Sequence, residues 1–226
     1  MRFLSTVAYD GTFYLGFQKA REGNTVETEL VLAIKIVTGS EVLLSGASRT
    51  DKGVHAKGQS IAFSIEKAIS PLRLQKAINA HLPVEIRILE IRQVDEDFHP
   101  TIDAKGKEYR YSLSVESFQT PMDRLYSWHI PQKLDMDAMK KESLKFVGTH
   151  DFSAFSTKKA LNPICTITSI DFCLEKKKLE IRIKGDRFLY KMVRMIVGSL
   201  VVAGKGKKNL KMTAPAHGLF LHHVIY

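Results

Sequence analysis

Between two stretches that read as strands lies Ser48-Arg49-Thr50-Asp51-Lys52-Gly53-Val54-His55-Ala56. Asp51 is a loop carboxylate flanked by Arg49 and Lys52, and nearby cations favour the ionised form of a carboxylate. A carboxylate kept charged at neutral pH suits a nucleophile or an electrostatic stabiliser; a general base would want the opposite tuning. The same residue, two places before a glycine, also fits a plain turn in which its oxygens cap backbone N–H groups. Local spacing leaves both readings open. The other tempting side chains read more blandly. His222 and His223 are adjacent on an expected strand, so they point to opposite faces and do not share one metal. His129 beside the lone Trp128 reads as packing, and His55 and His150 as structural or adjacent to a bound partner. Cys165 and Cys173 form no CxxC pair, which excludes a zinc or redox scaffold and agrees with a reducing compartment.

The elements that must carry the Asp51 loop follow from periodicity. Arg2–Asp10 alternates like a half-buried strand, and Asn24 with Glu27 three residues on is a capping pattern for a helix ending near Gly39, with an apolar stripe of Val26, Leu30, Ile34 and Val37. Residues 41–48 and 59–65 read as strands, Ser70-Pro71 starts a second helix running to Leu82, and 84–94 is a β-branched strand. That order is βαββαβ. The second half repeats it: strand 107–115, helix 135–147, strands 164–174 and 178–185, helix 187–203 and strand 218–226. The expected fold class is therefore α+β, two βαββαβ (ferredoxin-like) domains over 1–103 and 104–226, with antiparallel sheets joined around a central cleft.

Charge separates the two halves. The 226 residues hold 34 Lys+Arg and 24 Asp+Glu, a net charge of +10. Residues 1–103 contain 12 basic and 13 acidic side chains, and 104–226 contain 22 and 11. A concentrated excess makes nucleic acid the leading partner class, the alternative being a merely solubilising surface. In the 187–203 helix, Arg187, Lys191 and Arg194 fall at i, i+4 and i+7 on one face, which Gly198 continues without a side chain, as the wall of a cleft would. Lys205, Lys207, Lys208 and Lys211 follow as phosphate contacts, whereas Lys176–Lys178 reads as an ordinary hairpin turn. With 44% apolar residues the chain can bury a core. Neither the opening MRFLSTVAYD nor the run MIVGSLVVAG suits a signal peptide or a bilayer span, so a cytoplasmic protein without a membrane partner is expected.

Tandem βαββαβ units with a basic surface would also describe RNA-recognition modules, which need rings on the third strand to stack bases. The candidate segment Lys57-Gly58-Gln59-Ser60-Ile61-Ala62-Phe63-Ser64 puts Gln59 and Ile61 where those rings belong.

Seven blocks occur in order: Tyr9-Asp10-Gly11-Thr12 with Gly16-Phe17-Gln18; Arg49 to Ala56; Phe98-His99; Lys107-Glu108-Tyr109-Arg110-Tyr111; Gly148-Thr149-His150-Asp151-Phe152; Phe188-Leu189 with Met192-Val193-Arg194 and Ile196-Val197-Gly198; and Ala214-Pro215-Ala216 with Gly218-Leu219. Together they closely resemble the tRNA pseudouridine synthase A family over nearly the whole chain. The resemblance implies a cofactor-free, metal-free isomerase that converts uridines 38, 39 and 40 of the tRNA anticodon stem-loop to pseudouridine, acting as a homodimer. It implies Asp51 as the nucleophile that breaks the N1–C1′ bond and Tyr109 as the ring that stacks on the target uracil. It further implies Arg49 in nucleotide flipping, Arg194 set against the aspartate, and the segment from Phe98 and His99 through Thr101 to Ile102 in RNA contact. Arg187, Lys191 and Leu219 join the substrate-binding set. Thr101 and Cys165 stand where the family pattern expects arginines, which puts in doubt which of the three uridines are modified. A non-catalytic RNA-binding protein and a synthase for another RNA are the alternatives.

Overall fold

Strand β1 (Arg2–Tyr9) has no exposed residue because it lies between two antiparallel partners, β3 (His55–Ser64) and β4 (Ile86–Val94). In the computed structural model, which describes residues 1–18, 23–66, 68–207 and 212–226, it is the centre of the first of two units. That unit comprises Met1–Lys105 and Leu221–Tyr226. Its strands run β4-β1-β3-β10, where β10 is Leu219–Ile225, and a two-residue β2 (Ser45–Gly46) pairs with β3.

Two helices accompany this sheet. Helix α1 (Val26–Thr38) buries Val26, Leu30, Ala33 and Ile34 and ends at Gly39, whose φ of 77° is the left-handed conformation that glycine adopts most easily. Its cap is Thr25, not Asn24: the Thr25 hydroxyl accepts from the Thr28 N–H at 3.3 Å, while the Asn24 carbonyl is taken by the Leu15 N–H. Helix α2 (Pro71–His81) starts at the proline, as expected. Of the strand expected over 41–48, only Ser45–Gly46 pairs; Val42 is buried, and Val42, Leu43 and Leu44 line a shallow pocket with Glu27, Thr28 and Val31 of α1 instead.

The second unit, Gly106–Phe220, is mixed. Strands β5 (Gly106–Ser114), β9 (Lys178–Gly185), β8 (Ile164–Glu175) and β7 (Gly148–Asp151) run antiparallel in that order, and a short β6 (Trp128–His129) lies parallel to β5. Strands β6 and β7 are additions to the expected pattern. Helix α3 (Met136–Ser143) is capped by the Asp135 carboxylate, which accepts from the N–H groups of Asp137 and Ala138. The protein is thus α+β, with four α-helices among the described residues, none of them long and apolar enough to cross a membrane.

Two expectations need correction. Helix α4 spans Met192–Gly204, not 187–203, because Lys191 takes a left-handed φ of 62° and blocks helical continuation towards Arg187. Arg187 and Lys191 therefore do not share a helical face with Arg194. The last strand also does not stay with the second domain. From Leu221 the chain joins the first unit, where the Lys105 N–H donates to the Ile225 carbonyl at 2.8 Å and Tyr226 packs on Phe98 at 5.3 Å between ring centres. The unit boundary falls at 105/106, two residues beyond the expected one.

Candidate active site

In the first unit, Asp51 opens a tight turn: the Val54 N–H donates to its carbonyl at 3.1 Å, and Gly53 supplies the positive φ of 76° that the turn requires. Asp51 is half-buried and Arg49 exposed. The turn is braced from the end of β1. The Tyr9 and Thr50 hydroxyls meet at 2.7 Å, both side chains nearly inaccessible, and the Phe17 N–H donates to the Thr50 carbonyl at 3.1 Å. On the far side, His55 is 1% exposed, and its Nδ1 lies 3.1 Å from both the Gly11 N–H nitrogen and the Asp10 carboxylate. A single ring nitrogen serves one of these at a time: it accepts from Gly11 when the proton is on Nε2, and donates to Asp10 otherwise.

Two glycines let the segments meet. A Cβ at Gly11 would stand 2.0 Å from the Val54 carbonyl oxygen, and one at Gly16 would stand 2.7 Å from that of Thr50. The blocks Tyr9–Thr12 and Gly16–Gln18 therefore act as a mount for the Asp51 turn. Sequence reasoning assigned them no task, and the only signal for one was a pair of glycines close together after a strand. The Phe98–Ile102 segment also reaches this neighbourhood: the Thr101 hydroxyl donates to the Gly46 carbonyl at 3.0 Å, and the Thr101 N–H to His99 Nδ1 at 3.2 Å. Phe98 is half-buried against Tyr226, with its carbonyl accepting from Arg2 Nε at 2.6 Å.

The second unit groups a different set. Tyr109 and Tyr111 lie on one face of β5. Tyr111 is a core residue: it is fully buried, its hydroxyl donates to the Pro215 carbonyl at 2.8 Å, and a Cβ at Gly218 would come within 2.6 Å of its ring. Burial pushes its phenol far above the usual range, although the Arg194 charge pulls the other way, so the hydroxyl remains a donor. Tyr109 is 7% exposed, its ring edge-on to Phe188 at 5.0 Å. Arg194 is half-buried on α4 and clasps Ala214: its Nε donates to the Ala214 carbonyl at 2.8 Å, and the Ala214 N–H donates back to the Arg194 carbonyl. Leu219 is buried at the start of β10.

Gly198 is not an open wall. A Cβ there would lie 2.1 Å from the Met212 carbonyl oxygen, so the glycine admits a neighbouring backbone. Lys191 caps α4 with its ammonium 5.2 Å from the Tyr190 ring centre, and Lys158 lies over the same ring at 4.4 Å. Lys208 and Lys211 lie outside the described residues. Cys165, where an arginine was expected, is wholly buried, and burial raises its thiol pKa. His222 and His223 do not diverge as expected from adjacent strand positions, since their Nδ1 atoms are 3.1 Å apart. His150 and His129 hold backbone carbonyls, those of Val147 and Glu116, each at 2.9 Å.

Similarity to known proteins defines the class to which the chain belongs, that of the RNA-base isomerases. Residues 6–103 and 143–212 match the family described as tRNA pseudouridine synthase, an isomerase. The chain is 42% identical to tRNA pseudouridine synthase A of Acetivibrio thermocellus over 97% of both chains. It is 41% identical to tRNA pseudouridine synthase A 2 of Protochlamydia amoebophila, covering 97% of this chain and 92% of the relative, and 37% identical to the Bacillus pumilus synthase A, covering 100% and 99%. This chain belongs to the tRNA pseudouridine synthase A family.

If Tyr109 serves the base, ring and hydroxyl separate by substitution. Tyr109→Leu should cost about 5- to 100-fold in kcat/KM, the worth of one aromatic stack, and Tyr109→Phe should retain most of it if stacking is the main role. Steady-state tritium release from 5-³H-uridine tRNA measures both; equal losses would transfer the role to the hydroxyl.

Proposed function

We propose that this isomerase acts on uridines 38, 39 and 40 of the tRNA anticodon stem-loop, as a homodimer and without a cofactor, with Asp51 as nucleophile. The Asp51 carboxylate takes C1′ as the N1–C1′ bond breaks, and the bonding pair leaves on the uracil. The uracil turns, C5 bonds to C1′ and releases Asp51, and the C5 proton is lost while N1 gains one. The target must first leave the stack, at a cost of a few kcal/mol. Arg49 assists that step, Tyr109 receives the base and Arg194 offsets the aspartate charge. Phe98, His99, Thr101, Arg187, Lys191 and Leu219 hold the surrounding RNA.

The observation that carries it is the mount beneath Asp51: buried side chains and two backbone contacts hold a half-exposed carboxylate in one place, the arrangement that precise attack on a single carbon needs. Incubating the native protein with 5-³H-uridine tRNA should release tritium, and carbodiimide-blocked primer extension should stop within positions 38–40. Stops confined to another stem would move the target; no release would overturn the reading. Sedimentation at micromolar concentration should give twice the mass of the 25.5 kDa chain.

A further inference from the structure

Lys107 stands two residues before Tyr109 on β5, so their side chains leave the same face of the sheet. Its partner across the ladder is Gly185, which offers no side chain, and the chain then continues through Asp186 and Arg187. Lys107 is half-buried, and its ammonium has no hydrogen bond or ion pair among the described residues; the Arg187 guanidinium has none either. Burial lowers the Lys107 pKa, and the Arg187 charge lowers it further, with Asp186 offsetting part of this. Asp186 is occupied elsewhere, one of its oxygens accepting from the N–H groups of Thr166 at 2.8 Å and Arg187 at 2.6 Å.

The opposite face of the same strands is a useful contrast. There Arg110 pairs with Glu108 and Glu180, Arg182 with Glu180, and Lys184 with Glu108. One face supplies a carboxylate to each of these three cations, whereas Lys107, on the face shared by Tyr109, has the Arg187 charge for a neighbour and only Asp186, already accepting from two N–H groups, to offset it. Half-burying like charges together is unfavourable unless an anion joins them. The ligand that fits is singly charged, rich in acceptor oxygens and adjacent to an aromatic ring. A phosphodiester of a strand whose base lies at Tyr109 has those properties.

We propose that Lys107 and Arg187 together seat a backbone phosphate of the RNA next to the base taken by Tyr109, an assignment that rests on the proposed role of Tyr109. Lys107 is then a substrate-binding residue whose contact sets the register of the strand rather than reading its sequence.

Binding of a synthetic anticodon stem-loop RNA tests this by fluorescence anisotropy across a salt series. Lys107→Met should weaken binding about tenfold at low salt and reduce the slope of log Kd against log salt by about 0.7 to 1. Lys107→Arg should restore most of both. The melting temperature of Lys107→Met should hold or rise, since an unpaired cation is removed; a fall would mark a structural role and overturn the proposal. An RNA with a methylphosphonate at the linkage flanking the target uridine should lose affinity for the native protein and little more for Lys107→Met. Penalties that multiply in full, or an unchanged salt slope, would overturn the phosphate seat. The Tyr109 reading fails separately, through an unchanged kcat/KM of Tyr109→Leu in the tritium assay.

Discussion

Asp51→Asn should abolish turnover: tritium release from 5-³H-uridine tRNA should fall by about four orders of magnitude or more, the scale of loss when an enzyme loses its nucleophile. Asparagine keeps the shape of the side chain but cannot supply the negative oxygen that the proposed reaction requires at C1′. The loop is held through Tyr9, Thr50, Gly11, Gly16 and His55, so the substitution leaves its mount intact. Melting temperature should therefore stay within a few degrees of wild type, and filter-retained tRNA should still be recovered. Tritium leaves only when C5 has bonded to C1′, so the assay reports the chemistry itself. Undiminished release would remove Asp51 from the reaction.

Gly11→Ala should have the second largest effect, although Gly11 touches no substrate in the proposed reaction. The added Cβ would sit 2.0 Å from the Val54 carbonyl oxygen and 2.7 Å from its carbon. Both partners are backbone, so no side chain can swing aside, and the Asp51–Val54 turn has to move. A displacement of about 1 Å at a reacting group costs about a hundredfold in rate. We expect kcat to fall by that factor, with a lower melting temperature. Gly39→Ala is the matched control: its φ of 77° strains an alanine, but nothing lies within 4 Å of the new atom. It should cost about 1 to 2 kcal/mol of stability and leave kcat alone. Wild-type kcat in Gly11→Ala would mean that the loop is not positioned through this contact.

What the sequence disclosed was local. The strand at Arg2–Tyr9, the glycine stop of α1, the proline start of α2 and the aspartate turn each depend on a few consecutive residues, and each is in place. Arg187, Lys191 and Arg194 misled because a spacing of four and then three satisfies a helical period whether or not the chain is helical. One left-handed residue at Lys191 breaks the register, and no propensity argument anticipates a lysine there. Gly198 misled for a related reason: an absent side chain looks alike whether it faces solvent or the Met212 backbone. The bracing of Asp51 by Tyr9, Asp10 and Gly11 joins residues some forty positions apart. Periodicity carries no such information, and the blocks were legible only as a resemblance. The solitary Lys107–Arg187 pair needed a strand register to become visible.

The first unit is closed by Leu221–Tyr226, which lie beyond the whole of Gly106–Phe220 in the chain. During synthesis the strand that carries His55 and follows the Asp51 turn therefore waits, with the edge that will meet β10 unsatisfied, until the other unit has been translated. Closing so long a connection is entropically slow, and an unpaired strand edge is the kind of surface that invites intermolecular pairing in the interval. The usual vectorial order, in which the amino-terminal part matures first, is thereby reversed for this enzyme. The part bearing Asp51 gains its last sheet partner, β10, only after the other unit has been made.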